Sequence, residues 1–166
     1  MIWTIQNKKE EKLLRRKLAL FDFTRHSKTE IRDLIKTMRE AMRKANGIGL
    51  SANQIGLDMQ VFVAQPEKKF YAVFNPEIIK ASDDVLIPME EGCLSVPEVF
   101  GTVDRPDKIT LLGYDTNGKK IKIKAWGLLA RVFQHEVDHL QGKVFIDKAR
   151  DLHKYEPMTE ELPHSH

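Results

Sequence analysis

Apolar residues recur at helical spacing in two stretches of this chain. Around the first, residues 28–45, Ser27 and Glu30 show the S-x-x-E spacing of a capping box, and Gly47 follows as a stop. The spacing predicts an amphipathic helix that acts as scaffold and turns its apolar side chains to the core. Those side chains are Ile31, Leu34, Ile35, Met38 and Met42.

The second stretch, residues 127–141, is apolar around much of its circumference and is followed by Gly142. The pattern predicts a helix that is largely buried. Its apolar positions are Leu128, Leu129, Val132, Val137 and Leu140. The run "KVFID" at 143–147 predicts a short strand after this helix.

Residues 60–125 carry the signals of β-strands. The runs "QVFVAQ" and "FYAVFNP" are short and β-rich, and "KITLLGYD" and "KKIKIKAW" flank an Asn117-Gly118 turn typical of a hairpin. In the last run Lys120, Lys122 and Lys124 alternate with apolar residues, which predicts a solvated basic face and a buried face. The element order indicates an α+β fold with strands in the middle and a helix near the end.

Composition limits the class of protein. A chain of 166 residues, with 42% hydrophobic and 31% charged residues, fits one soluble globular domain. No apolar stretch approaches the ~20 residues that span a bilayer, and the first residues lack a secretory signal, so we expect a cytoplasmic protein without membrane partners. The 27 basic and 24 acidic residues are too balanced to indicate nucleic-acid binding.

The segment "HEVDH" suggests a metal site on the second helix. His135 and His139 are four residues apart and therefore share one helix face, with Glu136 beside the first of them. Two histidines at this spacing can hold one metal ion between them. The alternative is a buried, hydrogen-bonded histidine pair with a surface glutamate.

A third ligand has to come from elsewhere in the chain. The single cysteine, Cys93, lies in "EEGCLSVPE" at 90–98, and a thiolate is a strong ligand for a first-row divalent ion. A Cys-His-His set leaves a fourth position for water, as a hydrolytic site requires. The alternative is a buried free cysteine.

Three segments together resemble the signature motifs of the peptide deformylase family. They are "GIGLSANQ" at 47–54, "EGCLS" at 91–95 and "QHEVDH" at 134–139, in the family's order and at similar spacing. The resemblance covers residues 28–150. Ser51 stands where the family usually has alanine, a change that we expect to leave the chemistry untouched.

The resemblance implies an enzyme that removes the formyl group from formyl-methionine at the N-terminus of new polypeptides and releases formate. It implies an α+β domain over residues 1–150, with mixed and antiparallel strands around a metal-bearing helix, and a polar tail over 151–166. The expected cofactor is one divalent ion, natively Fe(II), with nickel, cobalt or zinc as substitutes. The expected partners are nascent N-formyl-methionyl chains and the ribosome near its exit, in a bacterium or, as the alternative, an organelle.

The resemblance also assigns roles to individual residues. Cys93, His135 and His139 bind the metal, and Glu136 transfers protons between water and the leaving amine. The side-chain amide of Gln54 and the backbone N–H of Leu94 stabilise the oxyanion. The substrate pocket is expected to comprise Ile48, Gly49, Met89, Leu128 and Val132, with Arg131 in its wall. Arg105 is expected to be structural and paired with Glu91.

Two other functions remain open on the residues alone. A small metallopeptidase could use the same histidine pair, but it needs a cleft open on both sides of the scissile bond. A non-enzymatic module could hold a structural metal, but structural zinc normally has four protein ligands, and no fourth candidate accompanies these motifs.

Overall fold

The computed structural model describes residues 1–154. The sequence-based expectations for the rest of the polar tail, including the prediction that His164 and His166 take no part in the site, lie outside the described residues.

Three α-helices lie in the described part of the chain: α1 Lys8–Leu14, α2 Lys28–Lys44 and α3 Gly127–Leu140. Helix α2 has the predicted capping box, in which Ser27 and Glu30 satisfy each other's backbone N–H groups. Helix α3 begins after Trp126 and ends just before Gly142, as predicted. None of these helices is long and apolar enough to cross a membrane.

The strands form two antiparallel sheets. The larger has the order β1-β2-β3-β6-β7 and the smaller β4-β5-β8. The strands are β1 Gly49–Ser51, β2 Val61–Ala64, β3 Tyr71–Ala81, β4 Leu86–Cys93, β5 Val96–Pro106, β6 Lys108–Tyr114, β7 Lys120–Trp126 and β8 Arg150–Lys154. The α+β prediction is confirmed, although every pairing among the described strands is antiparallel.

Helix α3 lies at the centre of the molecule. Its residues Phe133 and Leu140 are fully buried in a cluster with Phe62 of the large sheet. Helix α2 closes a second cluster over β1 and β2 through Met38 and Met42. Because α3 also contacts β5 of the small sheet, both sheets fix the position of its side chains.

The predicted strand at 143–147 is wrong. Phe145–Asp147 is a 3-10 helix, in which the Asp147 carboxylate accepts a hydrogen bond from the backbone N–H of Val144 at 3.1 Å. Arg15, at the C-terminal end of helix α1, binds the same carboxylate at 2.7 Å. The sequence analysis did not predict helix α1. A local β propensity is overridden here by this capping interaction.

Strand β8 extends the small sheet to Lys154 by pairing with β5. It therefore continues past residue 150, where the sequence placed the end of the domain. The division between a catalytic domain and a tail stays a prediction.

Gly142 and Gly127 offer a matched test of how α3 is held at its end. Both have positive φ, +78° and +61°, but a Cβ at Gly142 would lie 2.7 Å from the backbone of Arg15 and Arg16, whereas none of the described atoms lies within 4 Å at Gly127. Alanine at either site costs about 1–2 kcal/mol for the left-handed backbone. Gly142→Ala should lower the free energy of unfolding by a further ~1–3 kcal/mol, because the added methyl group overpacks this contact. Urea unfolding of both variants measures the difference, and equal losses would contradict it.

Candidate metal centre and active site

Three potential metal ligands meet beside α3. The Nε2 atoms of His135 and His139 are 3.2 Å apart, and the Sγ of Cys93 is 3.1 Å from His139 Nε2. All three donor atoms lie within 4.8 Å of one another. The helix spacing predicted the histidine pair, and the end of β4 brings the cysteine to it.

The environment of Cys93 favours the thiolate. Burial alone would raise the pKa of the Cys93 thiol, but the charge of His139 and hydrogen bonds with both histidines outweigh it and hold this pKa well below its ordinary value. The backbone N–H of Ser95 lies 3.4 Å from the sulfur as a further donor. A deprotonated thiol is the form that binds a metal.

The two imidazoles are oriented to leave their Nε2 atoms for an ion. His135 Nδ1 lies 3.0 Å from the carboxylate of Glu91, which fixes the ring on its outer side. Such a carboxylate–histidine contact is a usual support for a metal-binding histidine. Cys93, His135 and His139 therefore fit a divalent ion by donor type and by arrangement.

Glu91 is the centre of a buried charge network. Its carboxylate accepts hydrogen bonds from Arg105 at 2.6 and 2.9 Å and also binds Arg131 and His135. Burial alone would raise the pKa of Glu91, but hydrogen bonds from His135 and Arg105 outweigh it and hold this pKa at about 2. The predicted Arg105–Glu91 pair is thus present, and Arg105 also binds Asp138 at 3.0 Å.

The charged end of Arg131 is bound, in addition to the side chain's position in the cavity wall. Its guanidinium binds Glu91 and donates to the backbone carbonyls of Val103 and Ile87. The side chain therefore ties α3 to β4 and β5 while it lines the cavity.

Glu136 points into the site from the buried side of α3. It is only 3% exposed, and its Oε2 atom has no hydrogen-bond partner among the described residues. Burial raises the pKa of Glu136 to about 6, against the opposing charges of His135 and His139. A carboxylate with a free oxygen and a pKa near neutrality is suited to proton transfer.

Gly49 is required by the position of Glu136. A Cβ at Gly49 would lie 2.8 Å from Glu136 Oε1 and 3.1 Å from Val132 Cγ1. The "GIG" segment thus lets strand β1 pass directly over the acid–base candidate, a close approach that a side chain would prevent.

The Gln54 carboxamide lies next to Cys93. Its Nε2 atom is 3.1 Å from Ser95 Oγ and 3.6 Å from Cys93 Sγ, and its Oε1 accepts from the backbone N–H of Ser51 at 3.0 Å. The amide N–H groups therefore face Ser95 and the candidate ligand Cys93. Leu94 lines the same cavity.

A cavity of about 520 Å³ opens onto these groups. All five residues predicted for the pocket line it: Ile48, Gly49, Met89, Leu128 and Val132. The sequence analysis missed further lining residues, among them Asn46, Glu90, Pro97, Glu98 and Phe100. Pro97 and Glu98 lie within the segment quoted around Cys93. Phe100 reaches the cavity because it pairs with Gly92 across β4 and β5, a register that the sequence did not reveal.

Comparisons with known proteins agree with this geometry. The model of the polypeptide deformylase family matches residues 3–155. A peptide deformylase of Desulforudis audaxviator is 43% identical over 126 residues, 75% of this chain and 81% of that protein. A chloroplastic peptide deformylase 1B of rice is 45% identical over 123 residues, 71% of this chain and 45% of that protein.

The fold comparison gives the same result. The crystal structure of a peptide deformylase from Thermotoga maritima aligns with a TM-score of 0.81 at 32% identity, over 90% of this chain and 97% of that one. The family model and the fold match nearly the whole described chain, and the sequence relatives match about three quarters of the full chain. The chain belongs to the polypeptide deformylase family.

Proposed function

We propose that the cavity beside α3 is the active site at which this deformylase hydrolyses the N-formyl group of formyl-methionyl polypeptides. One observation carries the assignment of residues. The cavity is lined by Cys93, His135, Glu136 and Gln54. The third proposed ligand, His139, adjoins them with its Nε2 atom 3.1 Å from Cys93 Sγ. A hydrolase of this kind needs a metal site, a proton carrier and an oxyanion donor within reach of one carbonyl.

The cavity walls suit a methionine side chain. Ile48, Met89, Leu128 and Val132 present apolar surface, and methionine adapts readily to an irregular apolar slot. Strand β1 is an edge strand of the large sheet, so the backbone at Gly49 is available to pair with an extended peptide.

The residues around the scissile bond divide the chemistry between them. Cys93, His135 and His139 would hold the ion, which supplies a water acidic enough to attack near neutral pH. Glu136 takes the proton of that water through its free oxygen and delivers it to the leaving amine. The formyl carbon then leaves as formate.

Gln54 and Leu94 are proposed to stabilise the oxyanion that forms on the carbonyl. The Gln54 amide N–H groups are held toward the site before substrate arrives, because Ser51 occupies the carbonyl end of this carboxamide. Donors fixed in advance act most strongly where charge develops.

A metallopeptidase would need space beyond the attacked carbonyl for a further residue. Rates on formyl-Met-Ala, acetyl-Met-Ala and unblocked Met-Ala separate the two functions. The deformylase assignment requires release of formate from the first peptide and little turnover of the other two. Cleavage of the Met-Ala bond would instead support a peptidase.

Glu136→Gln should lower kcat by about 10²–10⁴-fold, because it removes the proton carrier. The substitution leaves all three proposed ligands in place, so metal content should stay at one ion per chain. Glu77→Gln, an exposed change on β3, is the matched control. A near-normal rate for Glu136→Gln would contradict the proposed role.

The identity of the ion is also a proposal. Ligand type alone favours zinc, which readily accepts a Cys-His-His set. The family resemblance favours Fe(II) in the native enzyme, with Ni(II) or cobalt as good substitutes. A ferrous ion beside a thiolate exposes Cys93 to stepwise oxidation by oxygen or peroxide.

We therefore expect higher kcat/KM from the iron and nickel forms than from the zinc form of one apo-protein. In air, the iron form should lose activity as Cys93 gains oxygen in mass spectrometry, while the nickel form should not. Cys93→Ser should weaken metal retention. Equal or higher activity with zinc, without loss in air, would contradict the iron assignment.

The proposed location is the bacterial cytoplasm, and the chloroplastic rice relative makes an organelle the alternative. Contact with ribosomal RNA near the exit of nascent chains is proposed for the basic face of β7. Lys120, Lys122 and Lys124 are exposed there without an ion pair among residues 1–154. The alternative ribosome-binding surface is the basic segment around Lys148 and Arg150. It is partly neutralised, because Lys148 binds Asp138 and Arg150 binds Asp104.

Charge reversal tests the β7 face. The triple Lys→Glu variant at 120, 122 and 124 should lose salt-sensitive co-sedimentation with ribosomes while formate release from a short peptide stays unchanged. The control reverses three exposed lysines on α2, Lys28, Lys36 and Lys44. Unchanged ribosome binding by the triple β7 variant would contradict the proposed role of this surface.

A further inference from the structure

Ser51 places a buried hydroxyl next to two carboxamides of the site. Its side chain is fully buried, with Oγ 2.7 Å from Asn53 Oδ1 and 3.1 Å from Gln54 Oε1. This is the position at which the sequence departs from the family's usual alanine, a change that the sequence analysis expected to leave the chemistry untouched. The two contacts argue for an effect. An alanine at this position would lack both contacts.

The Asn53 carboxamide has a fixed orientation. Its Nδ2 donates to the backbone carbonyl of His139 at 2.9 Å, so Oδ1 must face Ser51. Both oxygens near Ser51 Oγ are acceptors, and the hydroxyl has one proton to share between them. Asn53 and the hydroxyl thus connect the loop before Gln54 to the last turn of α3.

The Gln54 carboxamide is fixed by hydrogen bonds at both of its ends. Its Oε1 faces the Ser51 backbone N–H and hydroxyl, and its Nε2 donates to Ser95 Oγ. Rotation of the amide by half a turn would set Nε2 against the Ser51 N–H, donor against donor. Burial prevents water from replacing these contacts.

We propose that Ser51 is a positioning residue for deformylation, which holds the Gln54 amide aimed at the reacting carbonyl. The proposal rests on the role of Gln54 proposed above. The Ser51 hydroxyl touches no substrate. It restricts the motion of the Gln54 carboxamide, which must donate as the oxyanion forms. We therefore expect the hydroxyl to affect kcat rather than KM.

A double-mutant cycle tests this coupling. Ser51→Ala should lower kcat by about two- to tenfold, the scale of one hydrogen bond, with little change in KM. Gln54→Leu should lower kcat by about 10²–10³-fold. In the Gln54→Leu background, Ser51→Ala should cause no further loss, because the group through which it acts has been removed.

Two further measurements separate positioning from general destabilisation. Thr110→Val removes another buried hydroxyl, on β6 and outside the cavity lining, and should leave kcat unchanged. Metal content should be equal in wild type and Ser51→Ala, since a loss would indicate displacement of His139 through Asn53.

The outcomes distinguish the two proposals. No loss in Ser51→Ala, an equal loss in both backgrounds, or loss of metal would overturn the role of Ser51 and leave deformylase activity intact. A Gln54→Leu variant at the wild-type rate would instead overturn the role of Gln54 itself.

Discussion

The buried carboxylate of Glu91 is the interaction on which the rest of the site depends. It lies on β4 and binds Arg105 of β5 and both Arg131 and His135 of α3. A charge removed from water is stable only when every partner is in place, so this network specifies one arrangement of sheet and helix. Because the same carboxylate contacts His135, the geometry of the proposed metal ligands follows from the packing of α3 against the small sheet.

Cys93 depends on the same arrangement. The register of β4 and β5 shifts between Gly92 and Cys93, and this irregularity ends the regular pairing at the cysteine. A bulge re-aims a side chain that regular alternation would have directed elsewhere. A helix supplies two of the proposed metal ligands at a fixed spacing, and an irregular strand end supplies the third.

The sequence predicted the parts of the structure that depend on local periodicity. Both main helices, the capping box of Ser27 and Glu30, and the histidine pair all follow from spacings of three or four residues. The small sheet was not located, because prolines and charged residues obscure the strand signal of β4 and β5, and β8 pairs with β5 across a long separation in sequence. The threefold bonding of Glu91 depends on tertiary packing. The contact of Ser51 with Gln54 is local, in the S-x-x-Q spacing of a capping box that the sequence analysis did not use. The family motifs named these residues without giving the reason for them.

The two sheets each present an edge strand to the cavity. Strand β1 is the edge of the large sheet and β4 that of the small one, and Gly49 and Met89 bring both edges to the cavity wall. Backbone groups at a strand edge bind an extended peptide whatever its side chains are. An enzyme that acts on many different nascent chains needs this kind of recognition, and the proposed methionine slot would supply the selectivity. In the proposed function, the buried network around Glu91 and the open edges therefore serve different parts of one reaction, since the first positions the proposed catalytic groups and the second would admit varied substrates.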